Sequence, residues 1–178
     1  PTISELAKRH PGKVGVLHFD AHLDNYSNFG DDPYSRCSPF YQLYNDPNMD
    51  PTKIVHIGIR GPRNHQEEFN NAKKYGWEAS IKKAIELASK DTEVMYVTIC
   101  ADSLDAAFMP QGPQDMGGLT SFELLMMVHE AGLAGARALD FVEIYPDAYS
   151  LQPASHVGCW LALYFLNGVA ERRKNGEK

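Results

Sequence analysis

Four short runs rich in apolar and strand-forming residues recur along the chain, and each is followed by glycine, proline or acidic residues. The runs are Val14–Phe19, Ile54–Ile59, Val94–Ile99 and Leu139–Ile144. Apolar residues fill these runs almost continuously instead of alternating with polar ones, which is typical of strands that are buried on both faces of a sheet. The sequence therefore predicts four buried strands.

Helical spacing of apolar residues marks the segments between these strands. The predicted helices are Ile3–Arg9, Gln66–Tyr75, Ile81–Ser89, Ser121–Glu130 and His156–Arg173. The firmest helix start lies at the segment TSFE, residues 120–123, where threonine and glutamate have the spacing of a capping box. Strands that alternate with helices predict an α/β fold, a three-layer α/β/α sandwich around a mainly parallel sheet.

Size and charge narrow the class of protein further. The 178 residues, 43% of them hydrophobic, suffice for one domain, which we expect to span residues 1–178. The formal net charge of −6 and the lack of a basic cluster interleaved with aromatic residues argue against a nucleic-acid partner. We expect no membrane partner and a cytoplasmic protein, because the sequence has neither a run of about 18 apolar residues nor the order of a secretory signal. The 3 widely spaced cysteines predict reduced thiols.

Three potential metal ligands follow the first predicted strand at alternate positions: Asp20, His22 and Asp24. In extended backbone, residues two positions apart face the same side, so these side chains can converge on one cation. Two carboxylates and an imidazole suit Mn²⁺, although the same ligands are compatible with Zn²⁺, Ni²⁺ or Fe²⁺. In the alternative interpretation, the two aspartates simply begin a loop, as aspartate often does after a strand.

Polar residues after two further strands fall at the same predicted edge of the sheet. Cys100 and Asp102 end the third run, and Glu143 ends the fourth. Ligand sites in parallel α/β sheets lie outside the carboxyl ends of the strands. We therefore expect these residues to share one crevice with the three potential ligands that follow the first strand.

Five motifs, in this order, are similar to those of the ureohydrolase family, which includes arginase, agmatinase, guanidinobutyrase and formiminoglutamase. They are HFDAHLD, HIGIRG, YVTICADSLDAAFMP, GGLTSFELL and DFVEIYPD. The resemblance covers nearly the whole chain, and GIRG and GGLTSFELL look more like the agmatinase branch than arginase itself. It implies a three-layer α/β/α fold, a binuclear manganese site, a homotrimer or homohexamer, and hydrolysis of a guanidino or amidine substrate to urea or a related product.

The resemblance also implies roles for individual residues. Asp20 matches the carboxylate that bridges the two metals, while His22 and Asp24 match ligands of one metal each. Asp102 matches a ligand of the second metal, and Asp102 or Asp24 can hold the attacking hydroxide by a hydrogen bond. Glu143 matches the carboxylate that pairs with the guanidinium of the substrate. The alternative for Glu143 is a glutamate at a strand end that pairs with a nearby lysine or arginine.

Three features depart from the family pattern. Cys100 stands where the family has its second bridging carboxylate, and a thiolate is a softer ligand with a single donor atom. Arg36, in YSRCSPF, stands where the family has a histidine thought to shuttle protons, and arginine cannot trade protons near neutral pH. The chain also begins just after the position of a GGDHS segment that supplies another metal-binding histidine in the family, so we expect it to lack the family's N-terminal segment.

Two hypotheses of function therefore remain open. The first is a manganese-dependent amidinohydrolase in which Cys100 joins the metal ligands, and the second is a ureohydrolase-fold subunit that has lost one metal and acts in binding or assembly.

Two further pairs of residues have open roles. His18 and His56 lie inside predicted strands and favour hydrogen-bonded core histidines over ligands. Arg60 and Arg63 are equally compatible with a site for a substrate carboxylate and with exposed loop charges.

Overall fold

A computed structural model of the chain describes residues 1–68, 81–110, 115–145 and 151–176. Its strands are β1 (Val14–Phe19), β2 (Ile54–Ile57), β3 (Val94–Cys100) and β4 (Ala138–Val142). Its helices are α1 (Thr2–Arg9), α2 (Pro39–Tyr44), α3 (Ile81–Ser89), α4 (Ser121–Leu133) and α5 (Leu151–Lys174). Short 3-10 turns at Pro51–Lys53 and Ala101–Ser103 precede β2 and follow β3.

The predicted elements differ from the observed ones mainly at their ends. β1 and α3 have the predicted bounds. β2 stops at Ile57, because Gly58 takes a left-handed backbone conformation with φ of +96°. β4 stops at Val142, so Glu143 follows the strand instead of lying within it. Of the helix predicted at Gln66–Tyr75, residues 66–68 are helical and the remainder lies outside the described residues.

One helix in the loop-rich segment between β1 and β2 was not predicted. α2 begins with a proline, a residue whose missing N–H costs no hydrogen bond in the first turn of a helix. Its Phe40, Leu43 and Tyr44 side chains are buried. A helix of only 6 residues is too short for its apolar period to stand out from the surrounding loop composition.

All four strands are parallel and lie in the order β2–β1–β3–β4. Helices α3, α4 and α5 pack on the face of the sheet that carries Leu17, Val97 and Ile99. Helices α1 and α2 pack on the other face, which carries Val14 and Val16. The prediction of a three-layer α/β/α fold around a mainly parallel sheet is confirmed. Among the described residues, no helix has both the length and the apolar character needed to cross a membrane.

Two close contacts between elements depend on glycine. A Cβ atom on Gly15 of β1 would lie 1.8 Å from the carbonyl oxygen of Ala88 in α3. A Cβ atom on Gly132 of α4 would lie 2.4 Å from the carbonyl oxygen of Phe165 in α5. Any larger residue would push the backbones apart, so these glycines set the spacing of α3 against β1 and of α5 against α4.

The start of α4 offers a direct test of the fold. The Thr120 hydroxyl accepts a hydrogen bond from the backbone N–H of Glu123 (3.2 Å), and the Glu123 carboxylate accepts one from the backbone N–H of Thr120 (2.9 Å). The predicted capping box is therefore present. We expect Thr120→Ala to lower the free energy of unfolding by about 1 kcal/mol, because a helical N–H loses its partner. Thr120→Ser keeps the hydroxyl and should unfold in urea as the wild type does; equal losses for both variants would contradict the cap.

Candidate metal centre

The carboxyl ends of the parallel strands open into one cleft with a volume of about 460 Å³. Its lining includes all six residues predicted from the sequence: Asp20, His22, Asp24, Cys100, Asp102 and Glu143. Other lining side chains come from the surrounding loops, among them Tyr26, Phe29, Arg36, Cys37, Arg63, His65 and Glu68. The structure thus brings the predicted residues to one place, while their individual roles stay predictions.

Asp20, the first residue after β1, lies deep in this cleft and is 2% exposed. Its Oδ1 accepts a hydrogen bond from the backbone N–H of His22 (2.6 Å), and its Oδ2 lies 3.0 Å from Nε2 of His18. Burial opposes ionisation of Asp20, but the hydrogen bonds from His18 and His22 outweigh burial and lower the carboxyl pKa below its ordinary value. Asp20 is therefore held as a carboxylate, the form that binds a cation.

His22 lies between two carboxylates. Its Nδ1 is 3.0 Å from Oδ2 of Asp102, and its Nε2 is 3.1 Å from Oδ2 of Asp115. Burial lowers the pKa of His22, but hydrogen bonds with Asp102 and Asp20 outweigh burial and raise the pKa to about 10. Because both ring nitrogens face carboxylates, His22 can bind a cation only after it loses a proton, so ligation by His22 stays a prediction.

Two groups of potential ligand atoms meet in the cleft, and the atoms of each lie within 4.8 Å of one another. His18, Asp20 and Asp24 form the first group. Asp20, Cys100 and Asp102 form the second. Asp20 belongs to both, as the resemblance implies for a bridging carboxylate. Burial and the charge on Asp20 raise the pKa of the Asp24 carboxyl, a cost that a cation between the two carboxylates would relieve.

The chemistry of the donors decides how well each group fits a hard divalent cation such as Mn²⁺. The two carboxylates of the first group suit it. The second group fits less well, because its third donor is the Cys100 thiol. Burial raises the pKa of that thiol, and the charges of Asp20 and Asp102 raise it further, so a cation would have to displace the thiol proton. Ligation by Cys100 stays a prediction.

Glu143 lines the cleft just beyond β4, with a left-handed backbone at φ of +60°. Its Oε2 accepts a hydrogen bond from the Tyr145 hydroxyl (2.7 Å) and lies 3.4 Å from a guanidinium nitrogen of Arg36. The Arg36 side chain is 64% exposed, so this ion pair is weak. The contact agrees with the alternative of a strand-end ion pair, and it also shows that a guanidinium can reach Glu143.

The two arginines after β2 have different surroundings. The Arg60 guanidinium donates to the backbone carbonyl oxygens of Asp102 (2.7 Å), Asp115 (2.9 Å) and Leu104 (3.1 Å). These bonds tie together the loops that follow β2 and β3, so Arg60 has a structural role. Arg63 is exposed and lines the cleft, which leaves it as the candidate of the pair for a substrate carboxylate.

Comparison with known proteins identifies the family. Residues 1–167 match the sequence model of the arginase family. The chain belongs to the arginase family. It is 33% identical to a guanidinopropionase from Pseudomonas aeruginosa over an alignment of 181 residues, and this alignment covers 92% of this chain and 52% of that protein. It is also 33% identical over 154 residues to an agmatinase from Bacillus subtilis, with coverage of 82% and 51%. The chain spans about half the length of these curated relatives.

Solved structures agree with the arginase-family assignment. Formimidoylglutamase from Bacillus subtilis has a TM-score of 0.85 to this chain at 24% sequence identity, over 94% of this chain and 56% of that one. Formiminoglutamase from Trypanosoma cruzi, in a crystal structure with Mn²⁺, has a TM-score of 0.82 at 23% identity, over 96% and 61%. At these identities the likeness shows the fold, and the predicted ureohydrolase resemblance is confirmed.

The structure of this arginase-family chain adds residues that sequence reasoning missed. His18, interpreted as a core histidine, lies among the potential ligands beside Asp20. Asp115 contacts His22, and Glu68 is buried beside the cleft. The position of His18 two residues before Asp20 was an available signal, because the two share a strand face. Asp115 and Glu68 are distant in sequence from the predicted ligands and carry no such signal.

Proposed function

We propose that this chain is a manganese-dependent hydrolase of linear guanidino or amidine compounds, agmatinase-like, that releases urea or a related amide. The observation that supports the proposal most is the placement of Asp20, shared by two potential ligand groups, in the same cleft as Glu143. A cation site and a carboxylate for the guanidinium are the two features that this chemistry needs. The names of two relatives, a guanidinopropionase and an agmatinase, agree with the same substrate class.

The residues of the cleft divide the work of such a reaction. Those that would hold the cations are Asp20, Asp24 and Asp102, together with His22 and Cys100 once a cation displaces a proton from each. When bound, Mn²⁺ would supply the Lewis acidity that makes water nucleophilic at neutral pH. Glu143 accepts hydrogen bonds from the substrate guanidinium and fixes its plane. Arg36 cannot donate a proton near neutral pH, so the proton for the leaving amine comes from a carboxyl group or from water.

Metal content and urea release, measured on the same sample, test this proposal. Protein purified without chelator and then supplied with Mn²⁺ is expected to bind the metal and to release urea from a guanidino acid or from agmatine. Asp20→Asn removes the shared ligand and should abolish both, whereas Asp31→Asn, an exposed loop position, should leave both unchanged. Wild-type protein that takes up no metal and releases no urea would contradict the proposal.

A second candidate function is a ureohydrolase-fold subunit that acts in binding or assembly without catalysis. Two features favour it: the second ligand group has the Cys100 thiol, whose pKa is raised by burial, in place of a carboxylate, and the Arg36 guanidinium already faces Glu143. This candidate predicts at most one metal per chain and no turnover with any guanidino compound. The same pair of measurements therefore separates the two candidates.

We also propose that the chain assembles as a homotrimer or homohexamer. The large apolar side chains exposed on α5 support this proposal: Trp160, Leu163 and Leu166 are 54%, 57% and 59% exposed. Light scattering at micromolar concentration should give a mass three or six times that of the chain. A strictly monomeric mass would contradict this proposal.

A further inference from the structure

A buried line of three polar side chains leads from α2 to Asp20. His18 of β1 and His56 of β2 are Cα partners in the parallel register. His18 lies two residues after Val16, so it faces the side of the sheet that α1 and α2 cover, and α2 brings Tyr44 against His56. His18, His56 and Tyr44 are 3%, 2% and 6% exposed. Buried polar groups of this kind must find their partners within the protein.

The contacts along this line run in single file. The Tyr44 hydroxyl contacts Nε2 of His56. Nδ1 of His56 lies 2.7 Å from Nδ1 of His18, and Nε2 of His18 lies 3.0 Å from Oδ2 of Asp20. Both nitrogens of each ring are thereby engaged. A neutral histidine has one N–H donor and one acceptor nitrogen, so each ring passes the direction of hydrogen bonding to the next.

Only one arrangement of protons gives every contact a donor and an acceptor when both histidines are neutral. The Asp20 carboxylate can only accept, so His18 carries its proton on Nε2. Nδ1 of His18 then accepts from Nδ1–H of His56, and Nε2 of His56 accepts from the Tyr44 hydroxyl. The reverse arrangement would place the Nε2 lone pair of His18 against a carboxylate oxygen 3.0 Å away, which is repulsive.

We propose that Tyr44, His56 and His18 form a hydrogen-bond relay that positions the Asp20 carboxylate for cation binding, with His18 as an N–H donor and not as a metal ligand. This inference rests on the proposed role of Asp20 as the ligand shared by the two groups. His18 fixes Oδ2, and the backbone N–H of His22 fixes Oδ1, so the plane of the carboxylate is set before any cation arrives.

Packing also fixes the orientation of the His18 ring. The His18 ring is further held by Phe40 of α2, whose ring centroid lies 4.0 Å away.

Nitrogen NMR of the histidine rings reads the direction of the relay without any bound cation. In protein without metal, His18 should carry its proton on Nε2 and His56 should carry its proton on Nδ1. In Tyr44→Phe, Nε2 of His56 loses its hydrogen-bond donor, so the resonance of that nitrogen should move toward the position of an unbonded nitrogen, while Asp20 still holds His18 as the Nε2–H tautomer. An Nδ1–H tautomer of His18, or an Nε2–H tautomer of His56, would overturn the proposal.

Manganese affinity, measured from the electron paramagnetic resonance of free Mn²⁺, reads the positioning of Asp20. His18→Leu should raise the Kd about 10- to 100-fold, as the loss of a partner behind a metal ligand commonly does. His18→Gln returns an N–H near the position of Nε2 and should stay within about threefold of the wild type. If the two variants weaken binding equally, the N–H of His18 has no positioning role.

Tyr96→Phe is the matched control for Tyr44→Phe. The Tyr96 hydroxyl donates to Oδ2 of Asp140 (2.8 Å) from a buried ring on β3, so each variant removes the hydroxyl group of a buried tyrosine. Tyr44→Phe should raise the Kd for Mn²⁺ about 3- to 10-fold, whereas Tyr96→Phe should not change it. Equal changes in the Kd in the two variants would show that Tyr44 has only a structural role. Wild-type protein that binds Mn²⁺ without releasing urea would overturn the proposed hydrolase and leave the relay standing.

Discussion

Replacing Cys100 by aspartate is expected to raise the manganese content toward two ions per chain and to increase urea release, or to create it. The substitution supplies two hard oxygens in the second ligand group, where the Cys100 thiol now lies beside Asp20 and Asp102. Without metal, the same variant should melt earlier than the wild type, because a third buried carboxylate joins two others. Added Mn²⁺ should reverse that loss of stability.

The measurements for this variant are metal stoichiometry, the thermal midpoint and urea release, each with and without Mn²⁺. Cys159→Asp is the control for metal uptake, because Cys159 is exposed on α5 and lines no part of the cleft, so its replacement should leave the metal stoichiometry unchanged. A Cys100→Asp variant that melts earlier, gains no metal and stays inert would contradict a shared metal site at this position. That result would favour the non-catalytic candidate.

Glu143→Gln is expected to lower kcat/KM for a guanidino substrate by the equivalent of about 2–4 kcal/mol, which is roughly 30- to 1000-fold. The amide keeps the shape of the carboxylate but loses the charge that pairs with a guanidinium. Metal content should not change, because Glu143 belongs to neither ligand group of the described residues. Glu86→Gln, an exposed position on α3 that pairs with Lys83, is the matched control.

An unchanged rate in Glu143→Gln would remove this residue from the substrate site. Glu143 would then be a strand-end glutamate whose partners are Tyr145 and Arg36, as the contacts in the structure allow. A loss of bound metal would point instead to a role in holding the cleft together. Steady-state kinetics at saturating Mn²⁺, with elemental analysis of the same samples, separates these outcomes.

The sequence predicted those parts of the site that depend on strand ends. Asp20 and Cys100 follow from the apolar runs that precede them, because parallel strands deliver their carboxyl ends to one edge of the sheet. The contact of Asp115 with His22 joins residues 93 positions apart through a loop, and no local period encodes such a pairing. The left-handed backbone at Glu143 could not be predicted from the sequence either, since glutamate has no preference for that conformation.

The parallel pairing of β1 with β3 joins residues 80 positions apart, such as Val14 and Val94. Contacts between such distant residues close a long loop, and the chain loses the entropy of closing that loop before the contacts stabilise it, so we expect them to form late during folding. Asp20 and Cys100 stand at the ends of these two strands, so they meet only after the strands have paired. A cation bound between them would then leave the folding rate unchanged and slow unfolding. The bound metal would therefore lengthen the lifetime of the folded state.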